Sequence, residues 1–163
     1  MITQQRLKDL FDYSDGQLIR KISRGAGKNP QRWKEGTALG HKIKNGYCLA
    51  SVDYKIYKLH RLIWLWHFGR FPKGHLDHID CNPGNNKIEN LREANTSQNM
   101  QNQQKPRKNN KCGFQGVCKN GTRFRAALWL DGKRIHIGYF DTPEQAHKAY
   151  VEAKRKYHPF GRL

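Results

Sequence analysis

The sequence predicts an α+β protein in which small antiparallel sheets are interspersed with short helices. Four dipeptides that favour tight hairpin turns separate strand-like runs along the chain. They are Asp15-Gly16, Asn45-Gly46, Asn120-Gly121 and Asp131-Gly132. Residues 59–69, LHRLIWLWHFG, place Leu62, Ile63 and Trp66 at helical spacing and end at a glycine, which predicts a buried helix.

Charge is the strongest feature of the composition. The chain has 163 residues and a formal net charge of +18, from 31 Lys and Arg against 13 Asp and Glu. Such an excess indicates a nucleic-acid partner, because binding to phosphates releases condensed counterions. A membrane-surface protein would concentrate its cations on one face of an amphipathic helix, whereas here they are spread over strands and loops. No apolar run could span a membrane and no signal segment opens the chain, so we expect a cytoplasmic protein without a membrane partner.

The four cysteines are scattered along the chain, with no C-x-x-C pair. A zinc knuckle needs closely spaced ligand pairs, and a disulfide framework is unusual in a cytosolic chain of this size. We therefore expect neither structural zinc nor disulfides. A zinc site using His75 and His78 remains an alternative, although it lacks two further ligands.

The N-terminal region is predicted to contain a short helix followed by hairpins. Thr3 is placed to cap a helix with Leu7, Leu10 and Phe11 at helical spacing. A basic loop covers residues 23–36, and one alternating strand-like run covers residues 47–59. We expect the hairpins to extend the DNA contact through basic side chains. These are Arg20, Lys21, Arg24, Lys28 and Arg32.

The C-terminal region begins after a polar, basic stretch, residues 101–111, that lacks apolar residues and reads as a linker that buries nothing. Three strand-like runs follow, and then a helix with Thr142 as its cap and Pro143 as its first residue. In the second run, Arg123, Arg125, Ala127 and Trp129 share one face and the apolar residues share the other. In the third run we expect Ile135, Ile137 and Tyr139 to lie opposite Arg134 and His136.

Residues 76–82, LDHIDCN, place Asp77 and Asp80 on either side of His78 in a chain that has few acids. Cutting a phosphodiester needs a base for water and a divalent ion, and Mg²⁺ prefers oxygen ligands. Asp77 and an Asn amide could supply such ligands, and the imidazole of His78 could be the base. The remaining polar residues of this loop are interpreted as turn formers and loop braces. They are Asp80, Asn82, Asn85 and Asn86.

Residues 60–102, with HRLIW, DHIDCNPGNNKIENLR and TSQNMQN in that order, resemble the HNH nucleases of the phage homing-endonuclease branch. The resemblance implies two short antiparallel strands and a helix around one divalent ion, Mg²⁺ or alternatively Mn²⁺. It implies that His78 is the general base and that Asp77 and Asn99 are the metal ligands. It also implies that Asn90 braces the loop. Cys81 stands where many relatives have glycine.

Residues 113–161 are similar to the APETALA2-type DNA-binding domain through GFQGV, FRAAL, IGYFDTPEQAHKAY and a closing FG. The similarity implies base-reading strand positions, to which the alternation adds Arg123 on the same exposed face. The candidate DNA-binding residues are Gln115, Cys118, Arg123, Arg125, Trp129, Arg134 and His136. Cys118 replaces a base-contacting Arg and His136 replaces a Trp, so the target sequence of the plant domain does not transfer.

The predicted organisation is an N-terminal hairpin region with a nuclease domain over residues 1–102, its ββα-metal core at about 60–102. A basic linker follows at residues 103–111. The last part is a DNA-binding domain at residues 112–163, in which three antiparallel strands pack on one helix. We expect a metal-dependent endonuclease that hydrolyses phosphodiester bonds in duplex DNA, of the phage or intron-associated homing type, with no obligatory protein partner. The alternative is a sequence-specific DNA-binding regulator that does not cleave. A third reading is a basic RNA-binding protein, which would prefer structured RNA in competition at fixed salt.

Overall fold

The computed structural model describes residues 2–22, 34–103, 106 and 108–161. The α+β class is confirmed by its mixture of helices and small antiparallel sheets. The chain forms two compact units, Met1–Glu93 and Ala94–Leu163. Within the described residues, no helix has the length and apolar character needed to cross a membrane. Arg24, Lys28 and Arg32 lie outside the described residues.

Within its described residues, the first unit contains two helices and three small sheets of two, three and two strands, and the strands of each sheet lie side by side in chain order. A single turn of 3-10 helix, Ile88–Asn90, precedes the last strand. The elements are α1 (Gln4–Leu10), β1 (Phe11–Ser14), β2 (Gln17–Arg20), β3 (His41–Lys42), β4 (Cys48–Val52), β5 (Lys55–Lys58), α2 (Leu59–Phe68), β6 (His75–His78) and β7 (Leu91–Ala94).

Local chemistry explains the limits of both helices. The hydroxyl of Thr3 accepts a hydrogen bond from the backbone N of Arg6 at 3.2 Å, which caps α1 as predicted. Helix α2 ends at Gly69, whose left-handed φ of 71° closes the last turn. Leu62 and Ile63 of α2 are fully buried against Leu7, so α2 forms the centre of this unit's core.

The predicted run over residues 47–59 is divided by a two-residue turn at Asp53 and Tyr54, so that it forms both β4 and β5. Both turn residues have positive φ, 46° and 63°. A left-handed conformation costs a non-glycine residue roughly 1–2 kcal/mol, and it is unusual for a bulky side chain. Without Gly or Asn the pair gives no turn signal, and the alternation therefore read as one strand.

The described residues of the second unit form a short helix, a three-stranded antiparallel sheet whose strands lie side by side in chain order, and a long helix packed on that sheet. The long helix begins as predicted, with Thr142 Oγ1 accepting from the backbone N of Gln145 at 3.3 Å and Pro143 in the first turn. Its Ala146 and Tyr150 are buried against the sheet. The elements are α3 (Thr96–Gln101), β8 (Val117–Asn120), β9 (Arg123–Leu130), β10 (Lys133–Phe140) and α4 (Pro143–Tyr157).

Two expectations for this unit are wrong. The register of β10 shifts between His136 and Gly138, so that Tyr139 pairs with Arg125. Tyr139 therefore lies on the sheet face that points away from α4, and not on the same face as Ile135. The physical reason is a β-bulge, which adds one residue and reverses the alternation after it. The stretch 101–111 also buries side chains, since Gln101 and Asn102 are 9% and 2% exposed.

Candidate active site

The DHID motif lies at the end of a two-stranded sheet in the first unit. Asp77 and His78 are the last two residues of β6, which pairs with β7, and a loop over residues 79–90 joins the two strands. Both side chains are buried, with exposures of 7% and 4%. Buried ionisable groups are costly unless they are paired or hydrogen-bonded, so their partners indicate what each residue does.

His78 is held by Asn86, whose Oδ1 lies 3.2 Å from His78 Nε2. The Nδ2 of Asn86 donates to the carbonyl of Gly84 at 3.4 Å, which turns Oδ1 toward the imidazole. In this arrangement His78 Nε2 carries the hydrogen and Nδ1 is the basic nitrogen of the neutral ring. Burial lowers the pKa of His78, although the bond to Asn86 and the neighbouring Asp80 and Asp77 oppose this shift. The imidazole is therefore neutral at pH 7 and able to accept a proton.

Asp77 forms a buried ion pair with Arg92 on the neighbouring strand β7. Both Arg92 Nε and Arg92 Nη2 donate to Asp77 Oδ2, at 3.0 and 2.9 Å. This partner could not be predicted from the sequence, because it depends on which residues of the two strands face each other. Both of these bonds fall on the same oxygen, and a carboxylate is the type of ligand that a hard divalent ion prefers.

The described part of the chain contains no group of three or more His, Cys, Asp or Glu side chains that could hold a metal ion. An ion at Asp77 would therefore take its other ligands from amide oxygens, water or phosphate.

Asp80 and Asn90 tie the loop into a fixed shape. Asn90 Nδ2 donates to Asp80 Oδ1 at 2.9 Å and to the carbonyl of Asn85 at 2.8 Å, and Asn90 Oδ1 accepts from the backbone N of Asp80 at 3.0 Å. Asp80 also accepts from the Asn85 side chain at 2.7 Å and from the backbone of Asn82 at 2.8 Å. Burial opposes the shift, but these hydrogen bonds hold the pKa of Asp80 below its usual range. Cys81 has a φ of 60°, the conformation in which glycine is favoured.

The wall beside His78 is aromatic. His60 at the start of α2 meets His78 edge-on, with ring centroids 5.0 Å apart, and the ring of Tyr47 lies 5.9 Å from that of His78. Burial, together with the nearby His78, Lys58 and Arg61, lowers the pKa of His60 to about 3. Its Nδ1 is buried and has no hydrogen-bond partner among the described residues. The contact between His60 and His78 was not predicted, since a histidine beside an apolar helix does not show in the sequence which ring it will meet.

The N-terminal hairpin β1–β2 supports the same loop. Tyr13 Oη accepts a hydrogen bond from the backbone N of Ile88 at 3.1 Å, and Lys87 forms an ion pair with Asp15 at 2.7 Å. A β-carbon at Gly16 would lie 2.8 Å from the backbone N of Lys87, so the hairpin turn meets the loop directly. This support had no sequence signal.

Of the basic residues expected to carry DNA contacts in this hairpin region, Arg20 and Lys21 form internal bonds. Arg20 donates to Thr37 Oγ1 and to the Ala38 carbonyl, each at 2.9 Å. Lys21 lies 3.3 Å from the carboxylate of Asp12.

Asn99 lies on α3 in the second unit. The helix begins with a capping box in which Asn95 Oδ1 accepts from the backbone N of Gln98 and Gln98 Oε1 accepts from the backbone N of Asn95, both at 2.8 Å. Asn99 is half-buried, and its backbone N donates to the carbonyl of Asn95 at 2.9 Å. The structure thus gathers Asp77, His78 and Asn90 in the first unit and places Asn99 in the second.

The candidate DNA-binding residues of the second unit fall mainly on the sheet face away from α4. The pairing aligns Arg125 with Cys118 and Tyr139, Ala127 with His136, and Trp129 with Arg134. Trp129 is 57% exposed, Arg134 and His136 are exposed, and Arg125 Nη2 lies 3.4 Å from Cys118 Sγ. Arg123 pairs with Asp141 at 3.2 Å. Gln115 is half-buried, and its Nε2 donates to the Gln103 carbonyl at 2.6 Å.

Comparison with known proteins adds a family and a relative. The family described as HNH endonuclease matches residues 57–101, which contain β6, the loop, β7 and α3. The chain is similar to Protein 3.8 of Escherichia phage T7, with 31% identity over 113 residues that cover 68% of this chain and 93% of that protein. No solved structure matches.

Proposed function

This chain belongs to the HNH endonuclease family, whose members are nucleases acting on DNA, and on that premise we propose that it is a metal-dependent endonuclease that hydrolyses duplex DNA. The observation that carries the proposal is the buried, neutral imidazole of His78, which is held by Asn86 and is near enough to Asp77 for that charge to act on its pKa. A neutral imidazole with a fixed tautomer is the group that general-base chemistry at neutral pH requires.

In this mechanism Nδ1 of His78 takes a proton from the attacking water, while Asn86 keeps the ring in place through Nε2. Asn90 and Asp80 keep the loop rigid, and Arg92 fixes the orientation of the Asp77 carboxylate. Asp77 and Asn99 are the proposed metal ligands, and a bound Mg²⁺ or Mn²⁺ would neutralise charge on the phosphate and on the leaving oxygen. Catalysis is then shared between a rigid base and an ion held largely by amide, water and phosphate oxygens.

We further propose that residues 112–163 form an APETALA2-type DNA-binding domain behind a basic linker at 103–111. The sheet-on-helix architecture and the outward Trp129, Arg134 and His136 support this assignment. A β-sheet can place such side chains in the major groove of DNA.

The homing role is supported by the resemblance of the HNH motif to the phage homing-endonuclease branch. It implies that an uninterrupted target is cut and that the same target carrying an inserted gene is spared. Mapping the product ends on both forms of the target tests this role.

Incubation with supercoiled plasmid and Mg²⁺, with and without a chelator, tests the central proposal. We expect nicked or linear product only with the free ion, and His78→Ala should reduce the rate by about a hundredfold or more because the general base is removed. DNA affinity should be unchanged in that variant. His75→Ala, an exposed histidine on the same strand, is the matched control and should cleave normally.

If the parent protein binds the plasmid tightly yet never cuts it with Mg²⁺ or Mn²⁺, the protein is a DNA-binding regulator rather than a nuclease. Mapping the product ends in the same experiment distinguishes nicking from double-strand cleavage.

A further inference from the structure

The tip of the β4–β5 hairpin is exposed, apolar and strained. Tyr54 shows 104% of its reference surface and Ile56 shows 73%. Tyr54 also has a positive φ of 63°, which a bulky residue rarely adopts. Strained, exposed side chains concentrate where proteins bind something, because folding alone gives no reason to keep them.

The face of this sheet runs from the tip to the active site. Ile56 pairs with Ser51 and Lys58 pairs with Leu49, and these side chains lie on the side away from the buried Ala50 and Val52. Lys58 Nζ lies 4.5 Å from the centre of the Tyr47 ring, which is itself 5.9 Å from the ring of His78. A ligand in contact with His78 would therefore continue along β5 toward Tyr54.

The charge of this sheet selects the ligand. Lys58 lies on the same face as Ile56, whereas Lys55 and Lys42 pair with Val52 and Cys48 and lie on the other face. These lysines and Lys44 are all exposed, and in the described part of the chain none of them forms an ion pair with a carboxylate. Lysines on the edge strand β5 oppose pairing with a second copy of the chain. They suit a polyanion, and a two-stranded β-ribbon has the width to enter a groove of duplex DNA.

We propose that the β4–β5 hairpin is a DNA-docking ribbon that binds the duplex flanking the cleaved bond. Its lysines contact phosphates, and Tyr54 and Ile56 contact bases in the groove. The inference rests on the proposed function for the position of the duplex at His78. From Tyr54 to Lys58 the strand spans about 13 Å, which corresponds to roughly four base-pair steps of duplex DNA.

The variant Tyr54→Asn tests the ribbon, because asparagine tolerates the left-handed turn that strains tyrosine. We expect it to raise the thermal midpoint while weakening binding to a mixed-sequence duplex about tenfold at fixed salt. Binding is measured with a fluorescent duplex, long enough to cover both units, in the presence of chelator. Tyr54→Phe keeps both the ring and the strained turn, and it should bind like the parent.

An affinity of Tyr54→Asn within twofold of the parent would overturn the proposal, as would a parent that binds no duplex. A parent dimer that becomes a monomer in Tyr54→Asn, measured by sedimentation, would assign the hairpin to a second copy instead. Because the assay needs no cleavage, a parent that binds but never cuts would overturn the nuclease proposal alone.

Discussion

Asn86 makes the buried contact that sets the tautomer of His78. Its Oδ1 accepts from Nε2 and its Nδ2 is fixed by Gly84, so the proton-accepting nitrogen is Nδ1. The sequence placed Asn86 among general loop braces, because a run of asparagines does not show which amide reaches a ring. Direct contact with His78 separates Asn86 from its neighbours.

We predict that Asn86→Leu lowers kcat about tenfold or more, since the His78 ring loses the hydrogen bond that orients it. KM should change little, because the contacts to the substrate are kept. The acid limb of the pH–rate profile supplies a second readout. The pKa of His78 is already lowered by burial, so this limb should lie below pH 6.5 in the parent. The hydrogen bond with Asn86 raises the pKa of His78, so its loss should move the acid limb to a still lower pH. An unchanged limb with unchanged kcat would show that Asn86 has only a structural role.

At the scale of elements, the β1–β2 hairpin acts as a support for the loop over residues 79–90. Gly16 comes so close to Lys87 that a side chain there would push against backbone, and Tyr13 binds the next residue of the loop. The expected DNA contacts through Arg20 and Lys21 stay a prediction, and the support role of the hairpin was not predicted from the sequence.

We predict that Gly16→Ala reduces cleavage more than it reduces DNA binding, because it displaces the segment that carries Asn86. Gly36→Ala is the matched control, since Gly36 also has positive φ, 76°, but has nothing within 4 Å of its β-carbon position. Both variants share the cost of a left-handed alanine, roughly 1 kcal/mol, so only the difference between them reports the contact. Equal cleavage rates in the two variants would contradict the support role.

At the scale of the whole molecule, His60 links the stability of the first unit to pH. Its pKa falls from 6.5 to about 3 in the folded state, so between these values the unfolded chain binds a proton that the folded chain does not. The free energy of unfolding is unaffected by the titration of His60 above pH 6.5, and it falls by about 1.4 kcal/mol per pH unit as the pH drops below that value toward about 3.

Urea unfolding at pH 7 and pH 5, followed by Trp64 and Trp66 fluorescence in a background that carries both Trp33→Phe and Trp129→Phe, measures this loss. We expect His60→Phe to remove about 2 kcal/mol of the difference between the two pH values. The exposed His75 is the control, and His75→Phe should leave the difference unchanged. Identical pH dependence in the parent and in His60→Phe would contradict the assignment.

The sequence predicted what local chemistry determines. Thr3 and Thr142 cap helices, Gly69 ends one, and Asp15-Gly16 and Asn45-Gly46 form turns, because each carries its own signal. The turn at Asp53 and Tyr54 and the bulge before Gly138 carry no such signal. Neither do the pairs His78–Asn86 and Asp77–Arg92, because each joins residues that only the folded strands and loop bring together.

The bond between Arg92 and Asp77 implies that the protein carries its own stand-in for a cation. Because the guanidinium of Arg92 already balances the charge of the Asp77 carboxylate, the protein can fold without a bound metal ion. If Asp77 holds a divalent ion, as proposed, that ion would meet a pair of zero net charge and would bind weakly until phosphate oxygens also coordinate it. The metal ion would then bind only after DNA has bound, so that the protein without DNA would hold no metal ion.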